Sequence, residues 1–66
     1  MHILLNGEIY STKNRTTLHD LIQELNFTHT NFAVAVNFKV IPRSNYLELW
    51  LKEHDKIEIV MAFQGG

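Results

Sequence analysis

The start of the chain predicts two strands joined by a tight turn. Asn6-Gly7 separates Ile3-Leu4-Leu5 from Glu8-Ile9-Tyr10. Asn-Gly between strand-forming residues is a strong hairpin signal, because both central residues of a type I′ turn need a positive φ. We therefore predict strands over 2–5 and 8–12.

The next apolar residues recur with the spacing of one helix face. Positions i, i+3, i+4 and i+7 are occupied by Leu18, Leu21, Ile22 and Leu25,. Thr17 and Asp20 resemble a capping box, with Asp in place of the preferred Glu. Asn26 is suited to end the helix. We predict a helix over about 18–25 whose apolar stripe packs on a sheet, against Ile3, Leu5, Ile57 and Ile59.

The second half of the chain predicts three more strands separated by turns. Residues 33–36 form a short apolar run that favours a central strand, and 40–41 a brief return strand. Pro42 ends that strand, because proline cannot donate to a ladder. Segment 46–51 fits one helical turn followed by a short strand. Residues 56–63 predict the last strand.

Alternation along the last strand assigns its two faces. Ile57, Ile59 and Met61 are expected to face the helix, whereas Glu58, Val60 and Ala62 are expected to face outward. The high apolar content of this strand predicts a central position beside the first strand, with the two parallel. The result is an α+β fold, a mixed sheet of four to five strands covered on one face by one helix. We expect one domain over 1–63 and a flexible tail over 64–66.

Composition excludes several classes of protein. The chain has 66 residues, of which 45% are hydrophobic, which fits one small folded domain rather than a disordered chain,. Without cysteine there is no disulfide framework and no thiolate nucleophile,. No signal peptide or membrane-spanning run is expected, and a cytoplasmic location is favoured. The net charge of −1 argues against nucleic acid as the main partner,.

No catalytic or metal-binding constellation stands out. The four histidines lack chelating spacing and the carboxylates are scattered singly, so we expect no metal,. His54 lies in a turn where Gly is common, and histidine is among the residues that tolerate a positive φ. A binding module or carrier fits such a chain better than an enzyme.

The terminal Gly65-Gly66 is the one candidate for chemistry. Glycine has no Cβ, so a glycine tail can enter a narrow channel and present the α-carboxylate of Gly66 to a reagent. An ordinary frayed terminus fits the same two residues.

These features together resemble the ThiS family of ubiquitin-like sulfur carriers in thiamine biosynthesis. The resemblance covers the whole chain. It combines Val36-Asn37, Pro42-Arg43 after four intervening residues, and the terminal glycine pair. Further matching segments are Ile3-Leu4-Leu5-Asn6-Gly7, Thr17-Leu18-His19-Asp20-Leu21 and Asp55-Lys56-Ile57-Glu58-Ile59. Two residues depart from the family pattern: His54 replaces a common Gly, and Phe63-Gln64 precedes the glycines where smaller or aliphatic residues are common.

The resemblance implies a β-grasp (ubiquitin-like) fold and a reacting C-terminus. A ThiF-like adenylyltransferase would use ATP to adenylate Gly66, and a cysteine-desulfurase-type persulfide donor would convert it to a thiocarboxylate. The thiazole synthase ThiG would accept the sulfur. The chain itself would bind no cofactor, and Gly65 and Gln64 would complete the tail.

Apolar residues on the uncovered face of the last strand predict a partner surface. It comprises Val60 and Ala62, with Met61 and Phe63 leading into the tail. Simple homodimerisation through the same patch is the alternative.

Three other functions share part of this pattern. The small subunit of molybdopterin synthase uses the same tail chemistry but is typically longer. A protein modifier joined through Gly66 to target lysines also fits. An RNA-binding β-grasp module of the TGS type predicts a basic face, which the net charge opposes.

Overall fold

The computed structural model describes residues 1–26 and 31–61. Its elements in chain order are strand β1 (His2–Leu5), strand β2 (Glu8–Ser11), helix α1 (Leu18–Glu24), strand β3 (Phe32–Val36), strand β4 (Lys39–Ile41), a 3₁₀ helix (Arg43–Asn45) and strand β5 (Lys56–Met61). In these ranges no helix is long and apolar enough to cross a membrane.

The five strands form one mixed sheet in the order β2-β1-β5-β3-β4. β5 lies in the centre and runs parallel to β1, with Leu5 beside Ile57. It runs antiparallel to β3, with Phe32 beside Met61. The predicted central position of the last strand and its parallel pairing with the first are both confirmed. This is the strand order of a β-grasp fold.

Helix α1 packs its apolar stripe on the inner face of the sheet. Leu18 and Leu21 are fully buried and Ile22 nearly so, in one cluster with residues from all three central strands. The strand residues of that cluster are Ile3, Val34, Val36, Ile57 and Ile59. Leu5 and Leu25 are only partly buried against it. The predicted core is therefore confirmed, with these two residues at its margin.

The ends of α1 follow the predicted capping residues. Thr17 accepts a hydrogen bond from the Asp20 backbone N–H at 3.1 Å, and Asp20 accepts one from the Thr17 backbone N–H at 3.3 Å. Asn26 follows the last turn with a φ of +56°. Glu24 joins the helix to β2, since it accepts hydrogen bonds from the hydroxyls of Tyr10 and Thr12.

Residues with a positive φ, in the left-handed backbone region, form the turns. Asn6 and Gly7 have φ values of +50° and +85°, as a type I′ hairpin requires,. His54 has a φ of +70°, which confirms the conformation expected from the usual glycine. Asn37 and Phe38 join β3 to β4 with φ values of +52° and +71°.

Some boundaries differ from the prediction. β3 and β4 each begin one residue earlier than predicted, at Phe32 and Lys39. The helical turn predicted near 46 comes earlier, at Arg43–Asn45, and only Trp50 of the following segment pairs, in a single bridge to Thr17.

Met61 corrects one expectation about β5. Alternation places this residue on the inner side with Ile57 and Ile59, but it is 41% exposed. It pairs with the first residue of β3, at the margin of the sheet, and so lies beyond the core.

Candidate functional site

The tail and the two residues before it lie outside the described residues. The predicted site residues affected are Ala62, Phe63, Gln64, Gly65 and Gly66. The described structure ends at Met61, the last residue of β5. The site is therefore built from the strand that carries the tail and from the surface beside it.

β5 is held on both sides as it approaches the tail. On one side the Asn6 N–H donates to the Ile57 carbonyl at 2.8 Å, and Asn6 Oδ1 accepts from the Ile59 N–H at 2.8 Å. On the other side Val60 and Met61 pair with the start of β3. β5 thus ends, at Met61, with hydrogen-bonded neighbours on both sides, at the sheet end occupied by the Asn6-Gly7 turn.

Arg43 supports the start of β3 at the same end of the sheet. Its guanidinium lies 4.5 Å from the centre of the Phe32 ring and donates to the Phe32 carbonyl at 3.4 Å. Phe32 is the partner of Met61 in the sheet. The Pro-Arg pair of the sequence motif therefore supports the strand that borders the base of the tail.

The sheet face not covered by α1, here called the outer face, is rich in exposed apolar side chains. Ile9 is 76% exposed on β2 and Val60 is 62% exposed on β5. Alternation and register place these residues on that face: Leu4, Ile9, Ala33, Ala35, Val40, Lys56, Glu58 and Val60. The outward direction predicted for Val60 is confirmed; its role in binding stays a prediction.

Charged residues of β5 divide the outer face into two apolar areas. Lys56 lies beside Leu4, and Glu58 lies beside Ala35. One apolar area comprises Leu4 and Ile9. The other comprises Ala33, Ala35, Val40 and Val60 and adjoins the base of the tail.

A shallow groove of about 460 Å³ crosses the β1–β2 side of the sheet. It is lined by His2, Ile3, Leu4, Ile9 and His54. Glu53 lies 3.6 Å from His2 Nδ1 and 3.8 Å from His54 Nε2. The His2 backbone N–H lowers the pKa of the Glu53 carboxyl by donating to it, and nearby positive charge adds to this effect.

The other shifted groups serve helix α1. The backbone N–H and then the hydroxyl of Thr17 lower the pKa of Asp20. The hydrogen bond to Glu24, followed by burial and the negative charge of Glu24, raises the pKa of Tyr10. Within residues 1–26 and 31–61 no group of three or more His, Asp or Glu side chains is arranged to hold a metal ion. The pKa shifts of Asp20 and Tyr10 have hydrogen bonds within the fold as their largest cause.

Sequence reasoning missed Phe38, the most exposed large hydrophobic side chain in the described ranges, at 79%. The strands predicted over 33–36 and 40–41 leave a turn over 37–39, but its aromatic residue is not singled out in the sequence analysis. The available signal was Asn37 followed by Phe at a tight turn, where glycine is the preferred second residue.

Comparison with known proteins identifies the family. The ThiS family model matches residues 3–66, nearly the whole chain. The chain therefore belongs to the ThiS family, the small sulfur carriers of thiamine biosynthesis.

Individual relatives agree with this assignment. The sulfur carrier protein ThiS of Escherichia coli is 26% identical over the full length of both chains. A protein of Paramagnetospirillum magneticum named thiazole synthase is 35% identical over 66 residues, and the chain spans only 20% of its length. The crystal structure of ThiS from Geobacter metallireducens matches with a TM-score of 0.89, covering all of both chains at 20% identity, and supports the fold.

Proposed function

We propose that the chain carries sulfur as a thiocarboxylate on Gly66 for thiazole formation. The observation that carries this proposal is the family match, which extends through the terminal Gly65-Gly66. The chain is then a cosubstrate whose catalysis is supplied by partner enzymes.

In the first proposed step, a carboxylate oxygen of Gly66 attacks the α-phosphorus of ATP and pyrophosphate leaves. A free carboxylate is a poor acyl donor because its negative charge repels nucleophiles, whereas the acyl-adenylate has a good leaving group. A ThiF-like adenylyltransferase holds the ATP, so the chain needs no bound cofactor. Use of ATP fits a cytoplasmic location.

In the second proposed step, the outer sulfur of a cysteine-desulfurase-type persulfide attacks the acyl carbon and AMP leaves. A second thiol, which a partner must supply because this chain has no cysteine, then attacks the donor cysteine's sulfur in the resulting acyl disulfide. A new disulfide forms between that thiol and the donor cysteine, and the thiocarboxylate leaves. One carboxyl oxygen of Gly66 has left with AMP and is replaced by sulfur, and the electrons for the S–S cleavage come from the second thiol. A thiazole synthase of the ThiG type accepts the sulfur.

The relative from Paramagnetospirillum magneticum supports this acceptor. A segment of that protein matches the present chain from end to end, and the protein is named a thiazole synthase. One polypeptide that is named a thiazole synthase therefore contains a segment similar to this carrier chain.

The outer face beside the tail is the proposed docking surface. Val60 and Met61 are exposed where β5 leads into the tail, and Ala62 and Phe63 follow in sequence. A fixed strand with an apolar flank allows a partner to hold the domain while residues 64–66 enter its active site.

Pyrophosphate release tests the first step. The chain is mixed with ATP and the ThiF-like adenylyltransferase of the same organism. Pyrophosphate release is measured for the full-length chain and for a chain lacking Gly66. We expect release to depend on the full-length chain. Equal release from a chain lacking Gly66 would contradict the proposal.

A further inference from the structure

The last two residues of β5 depend on β3 for their place in the sheet. In the part of the chain that the structure describes, the β1 side of β5 is paired no further than Ile59, whose N–H donates to Asn6 Oδ1. Val60 and Met61 pair with the first two residues of β3 and, in the same described ranges, with no other strand. The end of β5 is therefore only as well held as the start of β3.

At the start of β3, the Arg43 side chain takes the place of β4. The pairing of β3 with β4 ends at Val34 and Ile41. Extended by two residues, this register brings Arg43 opposite Phe32, the first residue of β3. The Arg43 guanidinium donates to the Phe32 carbonyl at 3.4 Å and lies 4.5 Å from the centre of the Phe32 ring. A side chain thus supports β3 where the backbone pairing with β4 has stopped.

The backbone that carries this side chain is fixed in place. Pro42 precedes Arg43 and has a φ of −64°, which its ring imposes,. The Tyr46 N–H donates to the Arg43 carbonyl at 3.1 Å, and the Tyr46 side chain is buried in the core. The 3₁₀ helix thereby anchors Arg43 to the core, so that its side chain acts as a support although its contacts with Phe32 are exposed.

Arg43, Phe32 and Met61 consequently lie in one row across the sheet, with Phe32 in the middle. The row can be monitored at a single amide. Successive N–H groups of a strand point to opposite sides, and the Ile59 N–H points to the β1 side. The Val60 N–H therefore points to β3, and its rate of hydrogen exchange reports whether the end of β5 stays paired.

We propose that Arg43 is a positioning residue for the reacting terminus: acting through Phe32, it keeps the last two residues of β5 in the sheet. This rests on the proposed function, which makes Gly66 the reacting residue. If the end of β5 leaves the sheet, an enzyme that draws Gly66 into its active site also has to order Val60 and Met61. Ordering the backbone of one residue costs about tenfold in an equilibrium constant, so even partial loss of this pairing lowers the rate of the reaction.

The test compares Arg43→Ala with Arg43→Lys in the full-length chain. Amide hydrogen exchange is measured in the chain alone, and kcat/KM for pyrophosphate release is measured with ATP and the ThiF-like adenylyltransferase of the same organism. We expect Arg43→Ala to accelerate exchange of the Val60 amide at least threefold, with exchange of buried Ile57 nearly unchanged, and to lower kcat/KM at least threefold. Arg43→Lys keeps a cation over the Phe32 ring and should lie closer to the wild type on both measures.

Arg15→Ala is the matched control. The Arg15 guanidinium also lies over an aromatic ring, 5.9 Å from the centre of Trp50. Trp50 is bridged to Thr17, at the start of α1, and so belongs to another part of the fold. The substitution removes the same charge and the same kind of contact. We expect it to leave both the exchange of the Val60 amide and kcat/KM unchanged.

Four results would overturn the proposal. Equal acceleration at Val60 and Ile57 in Arg43→Ala would show a general loss of stability rather than local support. A fall in kcat/KM with unchanged exchange at Val60 would make Arg43 a direct contact of the enzyme. Faster exchange with unchanged kcat/KM would show that the reaction does not need the end of β5 to be held. An equal effect of Arg15→Ala on both measures would assign the loss to charge alone.

Failure of the proposed function gives a different result. In that case the wild-type chain itself releases no pyrophosphate, and the role of Arg43 in the reaction falls with it. Exchange at Val60 in the chain alone then still shows whether Arg43 holds the end of β5.

Discussion

Asn6 Oδ1 accepts a hydrogen bond from the backbone N–H of Ile59 at 2.8 Å. A turn residue thereby continues the parallel pairing of β1 and β5 beyond the end of β1. Ile59 belongs to β5, the strand that precedes the tail in sequence. The Asn6 side chain, which also marks the hairpin in the sequence, therefore helps to hold the strand that leads to the proposed reacting terminus.

Removing this acceptor is expected to loosen the end of β5. Asn6→Gly keeps the positive φ available but leaves the Ile59 N–H without its partner, which costs about 1 kcal/mol of unfolding free energy. Asn6→Asp keeps an acceptor and serves as control. Amide hydrogen exchange of Ile59 should accelerate only in the glycine variant; equal protection in both variants would show that the bond does not hold the strand.

Leu21→Ala should destabilise the fold strongly. Leu21 is fully buried between α1 and the sheet, and removal of such a side chain leaves a cavity that costs about 2–5 kcal/mol. Urea unfolding measures this, with exposed Leu47→Ala as control, expected within about 0.5 kcal/mol of the wild type. A similarly small loss of unfolding free energy for Leu21→Ala would show that Leu21 is not part of the core.

Val60→Asp should weaken docking of the adenylyltransferase without unfolding the domain. Val60 is 62% exposed on the outer face, so a carboxylate is tolerated in the free chain but must lose water in an apolar interface. We expect at least about a tenfold rise in Kd, or about 1.4 kcal/mol. Leu47→Asp adds the same charge elsewhere; if both variants bind alike, Val60 is outside the interface.

The capping box should give the domain a pH dependence in acid. The backbone N–H of Thr17 lowers the pKa of Asp20 below its ordinary value of 3.8. A carboxyl whose pKa is lower in the folded state adds stability above its unfolded pKa and loses it as the pH falls through the folded value. The unfolding free energy of the wild type relative to Asp20→Asn should therefore be constant near neutrality and shrink below about pH 4. A difference that persists undiminished down to pH 2 would contradict this role.

Local signals in the sequence predicted much of the fold. Asn6-Gly7, the Thr17 and Asp20 cap, and the positive φ of His54 each depend on residues close in sequence, so their chemistry is visible in the chain alone. Alternation also gave the outward face of Val60. For Met61, alternation predicts which sheet face the side chain is on but not how deeply the side chain is buried. The burial of Met61 depends on where β3 begins beside it.

Contacts between distant segments were not predictable in this way. Arg43 over Phe32 and Lys56 over Phe38 depend on the register of strands brought together by the fold. Before that register is known, Arg43 and Phe38 are ordinary turn residues.

Intact-mass analysis tests the sulfur carrier proposal most directly. The full-length chain is incubated with ATP, the adenylyltransferase and a persulfide donor, beside a chain lacking Gly66 and a chain with one residue added after it. Loss of one residue shortens the reach by about 3.3–3.6 Å, and a misplacement of about 1 Å can cost about 100-fold in rate. Only the wild type should gain the mass of one sulfur in exchange for one oxygen, localised by fragmentation to Gly66. The same gain in the chain lacking Gly66, or sulfur at another residue, would contradict the proposal.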